Sequence, residues 1–209
     1  MNHGKPKVKH KKQGLHVGID LGNTYCSIAY HDENNSDRNI VIEKCVDDYS
    51  IPTCISFTEW KGKVEIKFGS EAKHSESVDS KIYCSKRLLS YKFDEFLKYF
   101  NATGTVIQNI YCDKKFIPMT KVFLSNKFES FKPEEVGSIL LHELLKLLPK
   151  EPIEKICFSI PVKGSEQYKQ SLIRICAVNE INEDEILFIH ESTASILAYQ
   201  QEYSRRSNF

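Results

Sequence analysis

The most constraining feature of this sequence is a tight polar turn between two short apolar runs. Residues 17–30 read VGIDLGNTYCSIAY, with the turn at residues 20–24. Two such runs joined by a short turn predict a β-hairpin. Gly22 has no Cβ and can reach positive φ, so the amides of Gly22, Asn23 and Thr24 can approach an anion closely, and the turn can hold a phosphate.

Asp20 lies at the end of the first run. An ionised carboxylate there could organise the water shell of a Mg²⁺ ion that accompanies a phosphate. An ordinary Gly-Asn hairpin turn with a capping aspartate explains the same residues without any ligand. This stretch by itself leaves both interpretations open.

Composition argues against several classes of protein. The 209 residues carry a formal net charge of +1, so the chain as a whole has no strong attraction to nucleic acid or membrane. No apolar run is long enough for a membrane span, and no apolar signal core follows the N-terminus. Seven scattered cysteines without a CxxC pair indicate reduced thiols. We therefore expect no membrane partner and a cytoplasmic location, with the nucleus as the alternative.

The first 14 residues form a separate basic segment. They contain five lysines and no acidic residue, which predicts a disordered tail. Such a tail can contact RNA or an acidic partner through charge, or act as a nuclear signal. A solubilising tail without a specific target is the alternative.

Strand and helix patterns alternate in the second half of the chain. Pro133 begins the clearest helix, which is predicted to end at Pro149, and its apolar stripe consists of Val136, Ile139, Leu140, Leu144, Leu147 and Leu148. Strands are predicted at residues 155–160 and, buried, at residues 186–189. The helix between them is capped by Ser165, and its inward-facing residues are Leu172, Ile173, Cys176 and Val178. With a last helix to about Tyr203, this order predicts an α/β fold whose sheet has parallel members.

Two charged residues are candidate ligand contacts. Glu191 follows the strand at residues 186–189, and open α/β sheets bind ligands at the carboxyl ends of their strands. A first-turn acid that stabilises the following helix is an equally good interpretation. Lys86 and Arg87 lie between apolar residues, so Lys86 is either held toward an anion or is one of two solvated charges.

Four motifs occur in order along the chain: residues 18–25 (GIDLGNTY), 85–89 (SKRLL) with 92–94 (KFD), 133–136 (PEEV), and 189–194 (IHESTA) with 198–199 (AY). Together they resemble the ATPase domain of the seventy-kilodalton heat-shock chaperones of the DnaK type. The similarity runs from about Gly14 to Tyr203. The second and fourth motifs argue against a sugar-kinase or actin relative that shares only the phosphate hairpin.

The resemblance implies an actin-like ATPase (ribonuclease H-like) lobe, which is a mixed sheet with flanking helices plus a smaller inserted α+β subdomain. After the tail at residues 1–14, the lobe would comprise residues 15–209. Within it, residues 15–50 and 130–209 would form the core subdomain, and residues 51–129 the smaller one.

The resemblance also implies that ATP and Mg²⁺ bind and that each site residue has a role. Asp20 would hold Mg²⁺ through water, Lys86 would lie near the γ-phosphate and the attacking water, and Glu191 would face the hydration shell of the metal. The residues that would contact the β- and γ-phosphates are Gly22, Asn23, Thr24 and Tyr25. Phosphoryl transfer to water depends mainly on positioning and on offsetting charge, which these groups can supply.

In this family a proline after a strand, and an arginine eight residues later, couple the nucleotide state to a peptide-binding domain. Pro161 and Lys169 occupy these positions here. Lysine lacks the planar, multi-donor fork of arginine, so the resemblance implies weakened coupling. It also implies a J-domain co-chaperone as partner.

The chain departs from the usual pattern of the family. Asn23, His190 and Ser192 stand where a threonine, an asparagine and a proline are usual. Residues 22–24 and the strand at residues 27–30 are similar to the atypical ribosome-associated member called Ssz in fungi. An alternative function is therefore a non-catalytic, ribosome-associated interaction module that uses the lysine tail to contact RNA.

A second lobe in the family supplies another phosphate-binding hairpin and the adenosine pocket, and these 209 residues do not contain it. We therefore expect an ATP-binding lobe of a chaperone or co-chaperone that acts in protein folding and is incomplete without the second lobe. ATP hydrolysis is not expected from this chain alone.

Overall fold

The computed structural model describes residues 14–31, 39–41, 50–76, 80–83, 86, 89, 110–115, 118–124, 126–162 and 164–207. Several predictions lie outside the described residues. They concern the basic tail before Gly14, Arg87 beside Lys86, and the family segment at residues 92–94.

Twelve strands and four α-helices occur in the described residues. The strands are β1 (Leu15–Leu21), β2 (Tyr25–His31), β3 (Asn39–Val41), β4 (Ile51–Pro52), β5 (Cys54–Trp60), β6 (Lys63–Phe68), β7 (Lys81–Tyr83), β8 (Ile110–Cys112), β9 (Pro118–Leu124), β10 (Lys127–Phe131), β11 (Ile153–Ile160) and β12 (Ile186–His190). The helices are α1 (Ser70–Lys73), α2 (Pro133–Leu145), α3 (Glu166–Val178) and α4 (Glu191–Ser207), with a 3-10 turn at Glu183–Glu185. None of these helices is long and apolar enough to cross a membrane.

A central sheet with parallel and antiparallel pairs organises these elements. Its strand order is β12-β11-β1-β2-β3, and β4 pairs with β2 off this path. β1 and β2 are antiparallel neighbours, which confirms the predicted hairpin. β11 is parallel to both β1 and β12. The mixed sheet and its helices confirm the predicted α/β class.

Two small antiparallel sheets accompany the central sheet, with strand orders β6-β5-β7 and β10-β9-β8. The Phe57 ring of β5 stacks on the Phe131 ring of β10 with centroids 5.2 Å apart, which links the two small sheets. The sequence also predicts a strand at residues 121–124, and these residues lie within β9. The division of the chain into residues 51–129 and the remainder of the lobe stays a prediction.

The helices α2 and α3 share one apolar core with the central sheet. The predicted stripe of α2 is confirmed, because Val136, Leu140, Leu144 and Leu148 are buried and Ile139 and Leu147 are partly buried. The helix itself ends at Leu145 and turns follow it, whereas Pro149 was the expected end. Ser165 caps α3 as predicted, since its side chain accepts a hydrogen bond from the amide of Tyr168 at 3.3 Å.

Three local predictions were wrong. Val178 is 72% exposed while Ile175 is fully buried, because Val178 lies six residues after the buried Leu172 and therefore about 240° around the helix from it. Strand β12 is half-buried with Leu187 exposed, since it lies at the edge of the sheet. The third concerns Ser70, which the turn pattern at residues 68–72 predicts as the cap of a helix. Ser70 is instead the first residue of α1, and Gly69 with a φ of 65° is the N-cap.

The five cysteines in the described residues are free thiols: Cys26, Cys54, Cys112, Cys157 and Cys176. Burial raises the pKa of Cys26 and of Cys176 to about 12, and that of Cys54 to about 11. These three thiols therefore stay protonated at neutral pH, where the thiolate is the reactive form. They act as small apolar core residues.

Candidate functional site

The candidate site lies at the edge of the central sheet where β1, β11 and β12 end. Because these strands are parallel, their carboxyl ends meet at one edge. Asp20 is next to last in β1, and its Oδ1 accepts a hydrogen bond from Ser159 Oγ of β11 at 2.7 Å. Glu191 is the first residue of α4, directly after β12. The fold thus brings Asp20 and Glu191 to the same edge.

The turn at residues 22–24 extends from that edge. Gly22 does not adopt a left-handed φ, so the turn does not use that property of glycine. Glycine is required at this position for a steric reason, because a Cβ on Gly22 would lie 2.1 Å from the carbonyl oxygen of Tyr25. Asn23 is half-buried and Thr24 is exposed, so the turn is accessible to a ligand.

Thr53 holds both sides of this turn. Its hydroxyl donates to the carbonyl oxygen of Gly22 at 3.2 Å, and its amide donates to the carbonyl oxygen of Thr24 at 2.9 Å. These two bonds fix the turn through the carbonyl groups of Gly22 and Thr24. Pattern reasoning missed this role, since Thr53 reads in the sequence only as part of the entry to a strand.

Lys73 is a second residue that pattern reasoning missed. Its ammonium lies 5.7 Å from the centroid of the Tyr25 ring, within the range of a cation–π contact. Tyr25 is 43% exposed. This contact places a positive charge beside the turn.

Lys86 reaches the sheet edge from a distant part of the sequence. Its ammonium forms an ion pair and hydrogen bond with Glu191 Oε1 across 105 positions of the chain. The side chain of Lys86 is 14% exposed and that of Glu191 is 40% exposed, so the ammonium is mostly screened from bulk solvent. Ser195 Oγ donates to the carbonyl oxygen of Glu191 at 2.9 Å in the first turns of α4.

The two predicted coupling residues lie in different parts of the fold. Pro161 directly follows β11, and its carbonyl oxygen accepts a hydrogen bond from the amide of Gly164 at 2.7 Å. Lys169 lies in α3, where its ammonium is 3.7 Å from Glu166 Oε2 on the same helix. The ion pair of Lys169 therefore stays within its own helix.

The donor set at the edge fits Mg²⁺ together with phosphate oxygens. Mg²⁺ usually takes one or two carboxylates, several waters and substrate phosphates, and does not need an all-protein cage. Asp20 and Glu191 would supply the carboxylates, and Lys86 with the turn amides would supply donors for phosphate. Among the described residues no group of three or more His, Cys, Asp or Glu side chains could hold a metal by itself, which is compatible with binding through water.

Comparisons with known proteins identify the family. The sequence model of the family described as Hsp70 protein matches residues 16–205. Similar relatives are a heat shock protein of Pyricularia oryzae, 23% identical over 188 residues, and the ribosome-associated molecular chaperone SSB of Candida glabrata, also 23% identical over 188 residues. The heat shock 70 kDa protein 13 of Rattus norvegicus is 26% identical over 196 residues.

Each of these alignments covers 88% of this chain but only 29% of the two fungal proteins and 38% of the rat protein. The chain thus spans about a third of the length of the relatives it matches. The family match begins in β1 and ends in α4, so it includes every element that places a residue at the sheet edge. The chain therefore belongs to the Hsp70 family, and its mixed sheet with flanking helices is part of the actin-like ATPase fold of that family.

Proposed function

We propose that this chain is the lobe of an Hsp70-type chaperone that binds the phosphates of ATP. The ion pair between Lys86 and Glu191 is the observation that carries the proposal, because it brings a cation and an acid from distant segments to one sheet edge. Asp20 and the turn at residues 22–24 belong to the same edge. In open α/β sheets ligands bind at this kind of edge.

Each residue at the edge has a chemical task in this proposal. The amides of residues 22–25 bind the β- and γ-phosphates, since backbone N–H groups in a tight turn favour anions. Lys86 offsets negative charge on the γ-phosphate and helps to orient the attacking water. Asp20 and Glu191 would hold Mg²⁺ through water, and a bound Mg²⁺ would supply positive charge that offsets the charge on the phosphates.

The activity of the whole protein is a broader part of the proposal. The relatives are named as chaperones and heat-shock proteins, which supports ATP-dependent assistance to protein folding in the cytoplasm. A J-domain co-chaperone is the proposed partner, and Pro161 with Lys169 are the proposed coupling residues. Hydrolysis requires the second lobe that the family resemblance implies.

Mapping of MgATP contacts by amide NMR tests the proposed site. We expect MgATP at millimolar concentration to shift the amide signals of residues 22–25, because those N–H groups face the phosphates. Lys86→Ala should weaken the shifts, and Lys127→Ala is the matched control, since Lys127 is an exposed lysine that pairs with Glu129 on β10. Shifts that spread evenly over the surface, or that are equal in both variants, would refute the proposal.

Association with ribosomes is a second candidate function. A relative at 23% identity is named a ribosome-associated chaperone, and the first 14 residues of this chain contain five lysines without an acid. We propose that this tail contacts RNA through charge, as in the Ssz-type alternative. This function does not require catalysis, so it can coexist with weak ATP binding.

Ribosome co-sedimentation tests the role of the tail. The full chain should sediment with ribosomes at low salt and lose most of that binding at moderate salt, because each phosphate contact releases a counterion. A shortened chain that begins at Gly14 is expected to remain in the supernatant under both conditions. Equal sedimentation of both chains would remove the tail from the proposal.

A further inference from the structure

Leu89 connects the segment that carries Lys86 to the helix pair α2 and α3. It is 3% exposed and belongs to the apolar core. The space beside Gly137 of α2 is filled from two sides, since a Cβ there would lie 2.5 Å from Ile175 Cδ1 of α3 and 4.0 Å from Leu89 Cδ1. Leu89 therefore packs where the two helices meet.

A polar contact from α3 also holds the backbone of Leu89 in place. The hydroxyl of Ser171, which is 1% exposed, lies 3.4 Å from the carbonyl oxygen of Leu89. The same hydroxyl is 3.2 Å from Glu134 Oε1 and accepts a hydrogen bond from Arg174 Nη2 at 2.9 Å. Its single proton is shared between two acceptors, so Ser171 is a weaker anchor than the buried leucine side chain.

The Glu134 carboxylate is held in its charged form beside this contact. Burial raises the pKa of Glu134, but the hydrogen bond from Arg174 and the contacts with its own backbone and with Ser171 outweigh burial and lower the pKa overall. Arg174 Nη2 donates to Glu134 Oε1 at 2.9 Å. The three side chains of Glu134, Ser171 and Arg174 thus join α2 to α3 beside Leu89.

Leu89 lies only three positions after Lys86 and contacts its backbone directly. The amide of Leu89 donates a hydrogen bond to the carbonyl oxygen of Lys86 at 3.2 Å, which ties the backbones of these two residues together. The leucine side chain is fixed in the core. The lysine ammonium meets Glu191.

We propose that Leu89 and Ser171 are positioning residues that fix the location of the Lys86 ammonium at the sheet edge. Leu89 supplies the apolar anchor, and Ser171 restrains the backbone at the same point. The consequence for catalysis rests on the proposed function, because it requires Lys86 to face a phosphate. A displacement of about 1 Å in a positioned group can lower a reaction rate by roughly a hundredfold.

Acetylation of Lys86 reports its position without requiring any nucleotide. The amine reacts with an N-hydroxysuccinimide ester only when it leaves the ion pair and becomes accessible, and its side chain is 14% exposed. We expect Leu89→Ala to raise the acetylation rate of Lys86 by roughly tenfold, because loss of the buried contacts of Leu89 lets the bonded Lys86 backbone leave its position more often. Quantitative mass spectrometry of the Lys86 peptide gives this rate.

Leu148→Ala is the matched control. Leu148 is a leucine of the same core, 9% exposed, and it lies beyond the opposite end of α2. Both variants should lower the midpoint of urea unfolding, but only Leu89→Ala should expose Lys86. Equal acetylation of Lys86 in the two variants would show that Leu89 acts through general stability alone, and would overturn the proposal.

Ser171→Ala and Ser138→Ala form a second, milder pair in case Leu89→Ala does not fold. Ser138 is also buried, and its hydroxyl lies 3.5 Å from the backbone carbonyl oxygen of Ile175 on α3 rather than from that of Leu89. Ser171→Ala should raise Lys86 acetylation by roughly threefold and Ser138→Ala should leave it unchanged. No increase with Ser171→Ala would remove Ser171 from the proposal.

The same measurement separates this proposal from the proposed function. If Lys86 faces a phosphate, MgATP at millimolar concentration slows its acetylation in the unmodified chain. Absence of that protection would contradict phosphate binding and leave the positioning by Leu89 intact. Protection by MgATP together with equal rates in Leu89→Ala and Leu148→Ala would contradict the positioning alone.

Discussion

Gly22→Ala is expected to destabilise the chain by about 3 kcal/mol, near the upper end of what an overpacked site costs. The added Cβ would lie 2.1 Å from the carbonyl oxygen of Tyr25. A backbone carbonyl in a strand cannot rotate away like a flexible side chain, so the turn itself must change shape. That change should also disturb the two bonds from Thr53. It should move the turn amides that we propose bind the phosphates.

Gly18→Ala is the control for this variant. Gly18 lies in β1, the strand that precedes the turn; it is exposed, and a Cβ there would meet no atom within 4 Å. Its replacement should leave stability unchanged or raise it by about 0.4–1 kcal/mol, since alanine restricts the unfolded chain. Urea unfolding followed by circular dichroism measures both variants. A loss of stability by Gly22→Ala that does not exceed that of Gly18→Ala would contradict the steric requirement.

The 209-residue chain alone is expected to bind MgATP no better than about millimolar, an affinity near −4 kcal/mol, and to show no hydrolysis above background. Its proposed contacts are all with the phosphates, and the sheet edge remains open to water. A pair of unit charges at 4 Å is worth roughly 1 kcal/mol in bulk water and about 4 kcal/mol near a protein surface. A site that cannot close also cannot hold the attacking water in place.

Calorimetric titration with MgATP and a phosphate-release assay measure these two quantities. Lys86→Ala should further weaken the already weak binding, while phosphate release stays at background in both chains. Micromolar binding would contradict the expected need for a second lobe. Turnover that Lys86→Ala abolishes would do the same. It would mean either that two copies of the chain form a working site together or that the second lobe is not needed.

Local sequence pattern was sufficient to predict those structural features that depend on residues close together in the chain. The hairpin at β1 and β2 follows from two apolar runs around one glycine-containing turn, and the stripe of α2 follows from helical spacing. Ser165 caps α3 because a serine oxygen at that position can reach an amide three residues later. The motifs at residues 18–25 and 189–194 also indicated the family that the comparison confirmed.

Contacts between distant segments could not be predicted from pattern. Spacing left Lys86 as either a solvated charge or an anion contact, and only the fold places its ammonium against Glu191, 105 positions later in the chain.

The same limit applies to Thr53, whose bonds to the turn depend on β4 pairing with β2. It also explains why the prediction that β12 is buried was wrong. The position of a strand at the edge of a sheet is set by which strands pair and not by its own apolar residues. The sequence by itself thus determined the elements and the family, and the tertiary structure decided which side chains meet, because those contacts depend on how the elements pack.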